Sequence, residues 1–300
     1  MIRYTAFCKV VELGSFTRAA ETLGYTQAAI SQMIRSLEEE LGLTLLHRSH
    51  GGIRMTPEGE MMYPYIQRTV SCLRAMGDKA KEIGDLDEGE IRIGTISSIS
   101  QHWLPILIKR FVTLYPNVRF HLYQSNISLM RDWLRTGYID FCFVYQEAIP
   151  GFRNTMLARD SFMAVLPKEH PLSPLPSLSL QTIAEMPLIY ADEGDISAVL
   201  SAFQSQNLTP HIQYKVHDDY TILAMVEQGL GISILPAMVL DRTNYQFVAI
   251  PTNPVITRRI GIAYREPELL PIATQRFLTF LQEHLEECIT GQYTYLAGEK

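Results

Sequence analysis

The hydrophobic periodicity of the chain changes once, near residue 89. Before that point apolar residues recur at helical spacing, whereas afterwards short apolar runs alternate with helical segments. The first pattern predicts a mainly helical unit, and the second predicts a mainly parallel sheet covered by helices. The chain has 300 residues, which is more than one small core usually organises. We therefore expect several compact units.

Capping residues and glycines divide the start of the helical part into short helices. Gly14 ends the first helix, and Ser15 is suited to cap a second helix over residues 16–23. Thr26 is suited to cap a third helix over residues 27–41, which Gly42 ends. Two extended runs follow, over residues 43–48 and 53–56, and with the Gly-Gly turn between them they predict a β-hairpin. Three short helices with a hairpin attached predict a winged helix-turn-helix.

The third predicted helix presents small and polar side chains at its N-terminal end, the end of a recognition helix that enters the major groove of DNA. Gln27 and Gln32 can form hydrogen bonds with adenine edges, and Arg35 can bind guanine or phosphate. Basic residues of the hairpin can contact the phosphate backbone. The candidate DNA-contacting residues are Arg18, Thr26, Gln27, Ala28, Ser31, Gln32, Arg35, Arg48 and Arg54.

The prediction of DNA binding does not rest on the total charge of the chain. The chain has a net charge of −6, which argues against a protein that coats nucleic acid with its whole surface. Within residues 1–56 basic and acidic side chains nearly balance, so only their placement favours DNA binding. The alternative is that these side chains are ordinary solvated residues of a helical domain that binds only protein.

A long helix is predicted to begin at Thr56-Pro57, since proline is tolerated in a first turn. Its apolar positions alternate at spacings of four and three, as in a short heptad seam that pairs two helices. Packing against the chain's own core is the alternative, and Pro64 is a candidate kink. The seam consists of Met62, Ile66, Thr69, Leu73, Met76, Ala80 and Ile83. Residues 84–88 are polar and are expected to form a hinge.

The run from Phe7 to Gly42, together with Leu45-Leu46-His47-Arg48 and Thr56-Pro57-Glu58-Gly59, resembles the N-terminal signature of LysR-type transcriptional regulators. The resemblance implies a DNA-binding regulator whose long helix dimerises, whose dimers often pair into tetramers, and whose DNA site is an interrupted dyad in a promoter. It also allows a contact with RNA polymerase. Gln32 stands where many members carry a basic residue, and Met33 where many carry a polar one, which affects the bases read.

The same resemblance implies the domain layout. We expect a winged helix-turn-helix domain over residues 1–58, a linker and dimerisation helix with a hinge over 59–88, and an effector-binding domain over 89–300. The last is expected to be an α/β domain of the two-lobed, periplasmic-binding-protein-like type. Its first lobe is assigned residues 89–161 and 266–300, and its second lobe residues 162–265.

In a two-lobed α/β domain, ligands bind in the crevice outside the carboxyl ends of the strands. The resemblance assigns the effector site to residues at such strand-to-helix junctions. These residues are Ser97, Ser98, Asn126 and Ile127 in the first lobe and Asp192 and Asp219 in the second.

Several of these positions leave alternatives open. Ser97 and Ser98 are also suited to cap the following helix, and Glu193 and Asp218 suit helix caps or solvated loop charge. Ile127 replaces the hydroxyl side chain often found at its position, so a carboxylate effector loses one donor. If Asp192 or Asp219 faces the cleft, the effector should carry a cationic or hydroxyl-rich end.

Other function classes receive little support from the sequence. Motifs of serine hydrolases, nucleotide-binding loops and zinc proteases are absent, the eight histidines are scattered, and the four cysteines form no CxxC pair. We therefore expect no catalytic residues, no metal and no cofactor. A plain solute-binding protein is the remaining rival, but the N-terminus lacks the features of an export signal and no apolar run suits a membrane span. We expect a cytoplasmic protein.

Overall fold

The computed structural model describes residues 2–49, 52–83, 89–145, 151–194, 197–241, 243–288 and 294–295. The tip of the predicted hairpin turn at His50-Gly51, the expected hinge at 84–88 and most of the C-terminal tail lie outside these residues. Within the described ranges, no helix combines the length and apolar content needed to cross a bilayer.

Helices and strands follow the two-part pattern of the sequence. The helices are α1 (Ile2–Leu13), α2 (Phe16–Leu23), α3 (Gln27–Leu41), α4 (Pro57–Ile83), α5 (Ser97–His102), α6 (Leu104–Leu114), α7 (Ile127–Thr136), α8 (Leu180–Ala184), α9 (Ala198–Ser205), α10 (Asp219–Glu227), α11 (Ala237–Leu240) and α12 (Ile272–Cys288). The strands are β1 (Leu46–Ser49), β2 (Gly52–Met55), β3 (Gly89–Thr95), β4 (Val118–Gln124), β5 (Phe141–Tyr145), β6 (Arg153–Pro167), β7 (Leu178–Ser179), β8 (Leu188–Ala191), β9 (Ile212–Val216), β10 (Ser233–Pro236), β11 (Phe247–Asn253), β12 (Thr257–Tyr264) and β13 (Thr294–Tyr295).

The N-terminal domain folds as its capping signals predict. The Ser15 hydroxyl accepts a hydrogen bond from the amide of Arg18 at 3.3 Å, and the Thr26 hydroxyl accepts one from Ala29 at 3.1 Å. Each bond satisfies an amide that the first turn of a helix leaves without an intrahelical partner. Phe7, Ile30 and the apolar residues around them form one core beneath the three helices. The predicted boundaries of α2 and α3 are confirmed.

The hairpin begins three residues later than the predicted extended run, which started at Leu43. Before it begins, the amides of Leu45 and Leu46 donate to one carboxylate oxygen of Glu38, at 2.7 and 3.1 Å. β1 and β2 then pair in antiparallel register, with Leu46 opposite Met55 and Ser49 opposite Gly52. Through these two hydrogen bonds, Glu38 on α3 holds the segment from which the hairpin begins.

The long helix α4 packs closely against the N-terminal domain. The Thr56 hydroxyl accepts from the amide of Gly59 at 2.8 Å and caps the helix. A side chain at Gly59 would collide with the carbonyl oxygen of Leu45, so this position requires glycine. Ile66, from the predicted pairing seam, is only 2% exposed within the N-terminal core, and Met62 packs beside it. The N-terminal half of the seam thus serves the chain's own core, the alternative left open above.

Another face of α4 carries the exposed apolar residues. Met61 is 66% exposed, Tyr65 64% and Met76 57%, and the exposed Cys72 lies between them. Spacings of four, seven and four residues put these four side chains on one helix face. We call them the linker stripe. Met76 belongs to the predicted seam as well, whereas Met61, Tyr65 and Cys72 do not. An exposed apolar row of this kind suits pairing with a second helix.

The linker helix is attached to the first lobe by polar contacts. Arg74 forms an ion pair with the buried carboxylate of Asp140. The guanidinium of Arg265 donates to the Ser71 hydroxyl at 2.8 Å. Asp140 also accepts from the amide of Arg92 at 2.8 Å and from the Thr274 hydroxyl at 3.1 Å. One carboxylate therefore joins α4 to β3 and α12.

The first lobe is a mixed sheet covered by helices. β3 pairs in parallel with β4 and β5, whereas β12 pairs antiparallel with both β5 and β6. The expectation of a mainly parallel sheet is therefore wrong for its centre, because the strands that return from the second lobe run in the opposite direction. Aromatic side chains fill the core on one face, among them Trp103, Phe111, Phe141, Phe143 and Phe277.

The second lobe continues from the same long strand. The 15-residue strand β6 pairs with β12 in the first lobe and then with β10 and β11 in the second. A separate parallel pair, β8 and β9, lies in the same lobe. Its main core contains Phe162, Leu188, Phe203 and Ile234.

The chain returns from the second lobe to the first at β12. We expected the second lobe to extend to residue 265, but β12 begins at Thr257 and pairs with β5. Ile260 and Ile262 of this strand pack in the core of the first lobe. That boundary is wrong because the lobe to which a strand belongs is set by its long-range pairing, here of β12 with β5 and β6, and local sequence patterns do not show that pairing.

Replacing Tyr65 or Met76 with Glu should weaken self-association, because each substitution places a charge in the linker stripe. Sedimentation velocity should show a shift toward smaller species for both variants. Val255→Glu is the matched control, since Val255 is 63% exposed in a loop far from the stripe in sequence. If the stripe variants and the control sediment alike, the stripe is not the pairing face.

Candidate functional site

The candidate reading strip lies on the exposed side of α3. Gln27, Ala28, Gln32 and Arg35 are all exposed at or near its N-terminal half. Ser31 is only partly buried between them. Thr26 is exposed too, but its hydroxyl already accepts the capping bond from Ala29. The strip therefore presents two amides and one guanidinium to the surroundings, as the sequence predicted.

Basic residues flank this strip on neighbouring elements. Arg54 is exposed on β2, opposite His47 in the hairpin register. Arg18 is exposed on α2, and its guanidinium donates to the carbonyl of Leu13. The backbone of Arg48 pairs with Ile53 in the hairpin, whereas its side chain lies outside what the structure describes.

Two of the three glutamates at the far end of α3 are engaged in the fold. Glu38 accepts the two amide bonds that start the hairpin. Glu40 pairs with Arg3 at 2.8 Å, although both side chains are partly exposed, so we expect little stability from this pair. The sequence indicated only that these acids lie away from the reading end, and it gave no sign of the structural role of Glu38.

All six predicted effector residues border one cleft between the two lobes. The cleft encloses ≈ 50 Å³, which is room for a few waters or a ligand of a few atoms. Its lining comprises Ile96, Ser97, Ser98, Gln124, Ser125, Asn126, Ile127, Tyr145, Ala191, Asp192, Glu193, His217, Asp219, Pro236 and Arg258. Whether the six predicted residues bind an effector stays a prediction.

Arg258 forms the polar floor of this cleft. The residue is 4% exposed, and its guanidinium bonds the equally buried Asp160 through Nε at 2.9 Å and Nη2 at 2.7 Å. It also donates to the Tyr145 hydroxyl at 3.1 Å and to the Ser98 hydroxyl at 3.0 Å. Loss of solvation lowers the pKa of Arg258, but the neighbouring Tyr145, Asp160 and Glu193 outweigh it and raise this pKa above its usual value, so the guanidinium stays charged.

Two carboxylates of the second lobe reach across the cleft to hydroxyls of the first. The Tyr145 hydroxyl donates to Glu193, and the Ser97 hydroxyl donates to Asp219. The amide of Ile127 donates to the carbonyl of Glu193 at 3.4 Å. These contacts hold the two lobes against each other in the structure.

The loop that carries Glu193 depends on the glycine that follows it. Gly194 has a φ of +93°, and a side chain there would lie 2.9 Å from the Ser128 hydroxyl oxygen. Both the backbone conformation and the close approach of the lobes therefore favour glycine. The loop brings the Glu193 carboxylate to the cleft because its next residue can turn this tightly.

The structure decides between the alternatives that the sequence left open. Ser97 and Ser98 do not cap α5, whose cap position is Ile96 without a side-chain bond. Asp218 does cap its helix, accepting from the Thr221 amide at 2.7 Å. Glu193, in contrast, is partly buried and bonded across the cleft rather than solvated. Asn126 uses its side-chain oxygen to cap α7.

Asp192 lines the cleft from an exposed position. One of its carboxylate oxygens accepts from the amide of Gly194 at 3.2 Å. Its backbone carbonyl lies 2.8 Å from Nδ1 of His217. The second lobe therefore contributes three carboxylates and one imidazole to the cleft.

Burial raises the pKa of two of these carboxyl groups, those of Glu193 and Asp219. Loss of solvation raises the pKa of Glu193 from its usual 4.5 to about 7, against the opposing effects of Tyr145 and Arg258. Loss of solvation also raises the pKa of Asp219, although the Ser97 hydroxyl and Arg258 lower it. Both shifts mean that negative charge is costly in the cleft as it stands.

Sequence reasoning missed three residues of this site: Tyr145, Glu193 and Arg258. The apolar run that ends at Tyr145 predicts only a strand, and the position of Glu193 suits a cap or solvated loop charge equally well. Arg258 was expected inside the second lobe, because the chain was predicted to return to the first lobe only after residue 265, whereas it returns at β12. The adjacent arginines Arg258 and Arg259 at the start of an apolar strand run are the one signal that the sequence offered for it.

Both parts of the chain match known families. Residues 3–60 match the family described as bacterial regulatory helix-turn-helix protein, lysR family. Residues 84–286 match the LysR substrate binding domain. Among curated proteins, the HTH-type transcriptional regulator BenM of Acinetobacter baylyi is 30% identical over 275 residues, which is 89% of this chain and 90% of that protein. YvbU, an HTH-type transcriptional regulator of Bacillus subtilis, is 27% identical over 92% of this chain and 96% of that protein.

Solved structures share the fold over nearly the whole chain. A full-length OxyR variant from Pseudomonas aeruginosa superposes with a TM-score of 0.75 at 24% identity, covering 99% of this chain and 98% of that one. Full-length CbnR in complex with its target DNA gives a TM-score of 0.66 at 23% identity, covering 96% and 99%. These likenesses support the two-part architecture described above.

Glu193→Gln should remove part of the pH dependence of stability. Because folding raises the pKa of Glu193 from 4.5 to about 7, the folded state binds its proton more tightly than the unfolded state. Its contribution to stability is therefore complete below pH 4.5 and is lost as the pH rises through about 7. Thermal melts across this range should show wild type losing stability relative to Glu193→Gln, whose amide keeps a hydrogen-bond acceptor for Tyr145.

Glu169→Gln is the control for loss of a carboxyl group, since Glu169 is exposed beyond the end of β6 in the second lobe. Its stability should follow that of wild type across the whole range. A constant difference between wild type and Glu193→Gln at every pH would contradict the assignment.

Proposed function

The chain belongs to the LysR family of bacterial transcriptional regulators, and we propose that it reads operator DNA with α3 and senses a small molecule between its two lobes. The observation that carries the first half is the exposed polar strip on α3 beside a basic hairpin. The cleft that six predicted residues share supports the second half.

Within the N-terminal domain, we assign positioning and reading to different side chains. Arg18, Arg48 and Arg54 would contact phosphates and set the register on the duplex, which carries no sequence information by itself. Gln27, Gln32 and Arg35 would contact base edges. The remaining candidates are small enough to let the helix approach the groove closely: Thr26, Ala28 and Ser31.

Within the cleft, hydroxyl groups of the first lobe and carboxylates of the second would hold the effector. Ser97, Ser98, Asn126 and Ile127 form the first side, and Asp192 and Asp219 form the second. To these we add Tyr145, Glu193 and Arg258, because they connect the two sides through hydrogen bonds.

A physical connection from the cleft to the linker helix supports coupling between the two functions. Tyr145 ends β5 at the cleft, and Asp140 directly precedes the same strand. Asp140 pairs with Arg74 on α4, which continues from the DNA-binding domain. We propose that closure of the lobes around an effector shifts β5 and is transmitted through this ion pair to α4.

The relatives named above are transcriptional regulators, and on that basis we propose that the cleft binds its ligand without transforming it. A regulator of chromosomal promoters acts where the DNA is, so the cytoplasm is the proposed location. Self-association through the linker stripe would present two reading helices to a dyad, as oligomeric LysR regulators do.

Binding measurements on the full chain test the division between positioning and reading. An operator is first selected from genomic fragments, and fluorescence anisotropy then gives affinities at several salt concentrations. Arg54→Ala should weaken binding to all sequences by a similar factor and reduce the salt slope by about one. Gln32→Ala should instead relax specificity at particular base pairs, by about 1–3 kcal/mol for each base that Gln32 reads through a well-aligned pair of hydrogen bonds.

The matched control is Arg119→Ala, which removes an exposed arginine from β4 in the first lobe. It changes the net charge as Arg54→Ala does and should leave both the salt slope and the specificity unchanged. The proposal fails if Arg54→Ala and Gln32→Ala have the same effect, or if Arg119→Ala matches Arg54→Ala.

A further inference from the structure

We propose that the cleft binds a small cationic effector, a protonated amine on a short polar skeleton, and that it rejects carboxylates. This inference rests on the proposed role of the cleft as the effector site. It adds the charge and size of the ligand, which the fold alone does not give.

The charge balance of the lining is the first argument. Arg258 is the one Lys or Arg side chain among the described residues that line the cleft, and Asp160 neutralises it through two bonds to one oxygen. Three carboxylates remain on the side of the second lobe, those of Asp192, Glu193 and Asp219. A ligand with a negative charge would meet their repulsion, whereas a cation would meet their attraction.

The hydrogen bonds of the cleft give a second argument. The strongest donors at the floor of the cleft already have protein acceptors, because Ser97 donates to Asp219, Tyr145 donates to Glu193, and the Arg258 guanidinium donates to Asp160, Ser98 and Tyr145. A carboxylate ligand that took the Ser97 or Tyr145 hydroxyl would displace a protein carboxylate and leave it without that donor, which is costly in a desolvated site.

Acceptor capacity, in contrast, is in excess. An ionised carboxylate offers about four lone-pair sites, and the single cross-lobe bonds to Glu193 and Asp219 use few of them. An ammonium group supplies three donors and one positive charge, which complements this surplus.

Protonation behaviour agrees with the same assignment. Glu193 faces Tyr145, Arg258 and Asp219, and Asp219 faces Ser97, Arg258, Asp218 and His217. With this set of neighbours the pKa of each of the two acids is raised by loss of solvation. A bound cation would offset that cost by stabilising both ionised forms.

The size of the ligand follows from the cavity. A space of ≈ 50 Å³ is far below the 300–1,000 Å³ typical of sites for drug-sized ligands. The closed cleft therefore suits a molecule of only a few heavy atoms, with its charged group between the second-lobe carboxylates and its polar end toward Ser98 and Asn126.

Three compounds of equal skeleton length test the charge of the ligand: ethanolamine, ethylene glycol and glycolate, which are cationic, neutral and anionic near neutral pH. Isothermal titration calorimetry on the full-length protein should detect ethanolamine, weaker or no binding of ethylene glycol, and no binding of glycolate. Asp219→Asn should weaken ethanolamine binding by about tenfold or more, the usual effect of removing a charged hydrogen-bond partner. Glu193→Gln should weaken it in the same direction.

Glu169→Gln is the control, because it removes one exposed carboxylate of the same lobe outside the cleft lining. It should leave ethanolamine affinity unchanged, so a decrease there would show that binding follows overall charge and would overturn the inference. Failure of ethanolamine to bind, or binding of glycolate that strengthens in Asp219→Asn, would overturn it as well.

Operator binding in the same protein samples separates this inference from the proposed function. A chain that binds its operator normally but prefers glycolate refutes only the assigned ligand charge. A chain that binds no operator refutes the proposed function itself, whatever the calorimetry shows.

Discussion

The effector-binding domain depends on one buried ion pair, between Arg258 and Asp160. These residues stand directly opposite each other on β12 and β6, the two strands that run between the lobes. Burying two charges is favourable only when their geometry is good and their remaining hydrogen bonds are satisfied. Arg258 meets that condition by also bonding Tyr145 and Ser98, whereas the Oδ1 atom of Asp160 has no hydrogen-bond partner among the residues that the structure describes. The pair therefore joins the crossing strands to each other and to the floor of the cleft.

A second buried carboxylate, Asp140, connects this domain to the helix that leads to DNA. It lies at the start of β5, whose other end carries Tyr145 at the cleft, and it pairs with Arg74 on α4. At the opposite end of α4, Gly59 and Thr56 fasten the helix against the hairpin segment. The two halves of the chain thus share one continuous helix, with a polar attachment to the first lobe and close packing against the hairpin segment.

Local signals predicted the N-terminal domain well, because caps and glycines act within a few residues. Ser15, Thr26 and Gly42 place the ends of α2 and α3 where the structure has them.

The contacts between the lobes could not be predicted from such local signals. β6 continues across two lobes without a break, and the role of Arg258 depends on a partner 98 residues away. Part of the seam predicted on α4 also proved to be core, because Ile66 packs inside the N-terminal domain.

A double-mutant cycle on the full chain tests most directly whether the Arg258–Asp160 pair organises the domain. Both tryptophans, Trp103 and Trp133, lie in the first lobe, so their fluorescence during urea unfolding follows that lobe. Arg258→Met and Asp160→Asn should each lower the free energy of unfolding by about 3–5 kcal/mol, because each leaves the other group without its partner. The account predicts that the double variant is destabilised by about 1–3 kcal/mol less than the sum of the two single variants. Strictly additive destabilisation would contradict it.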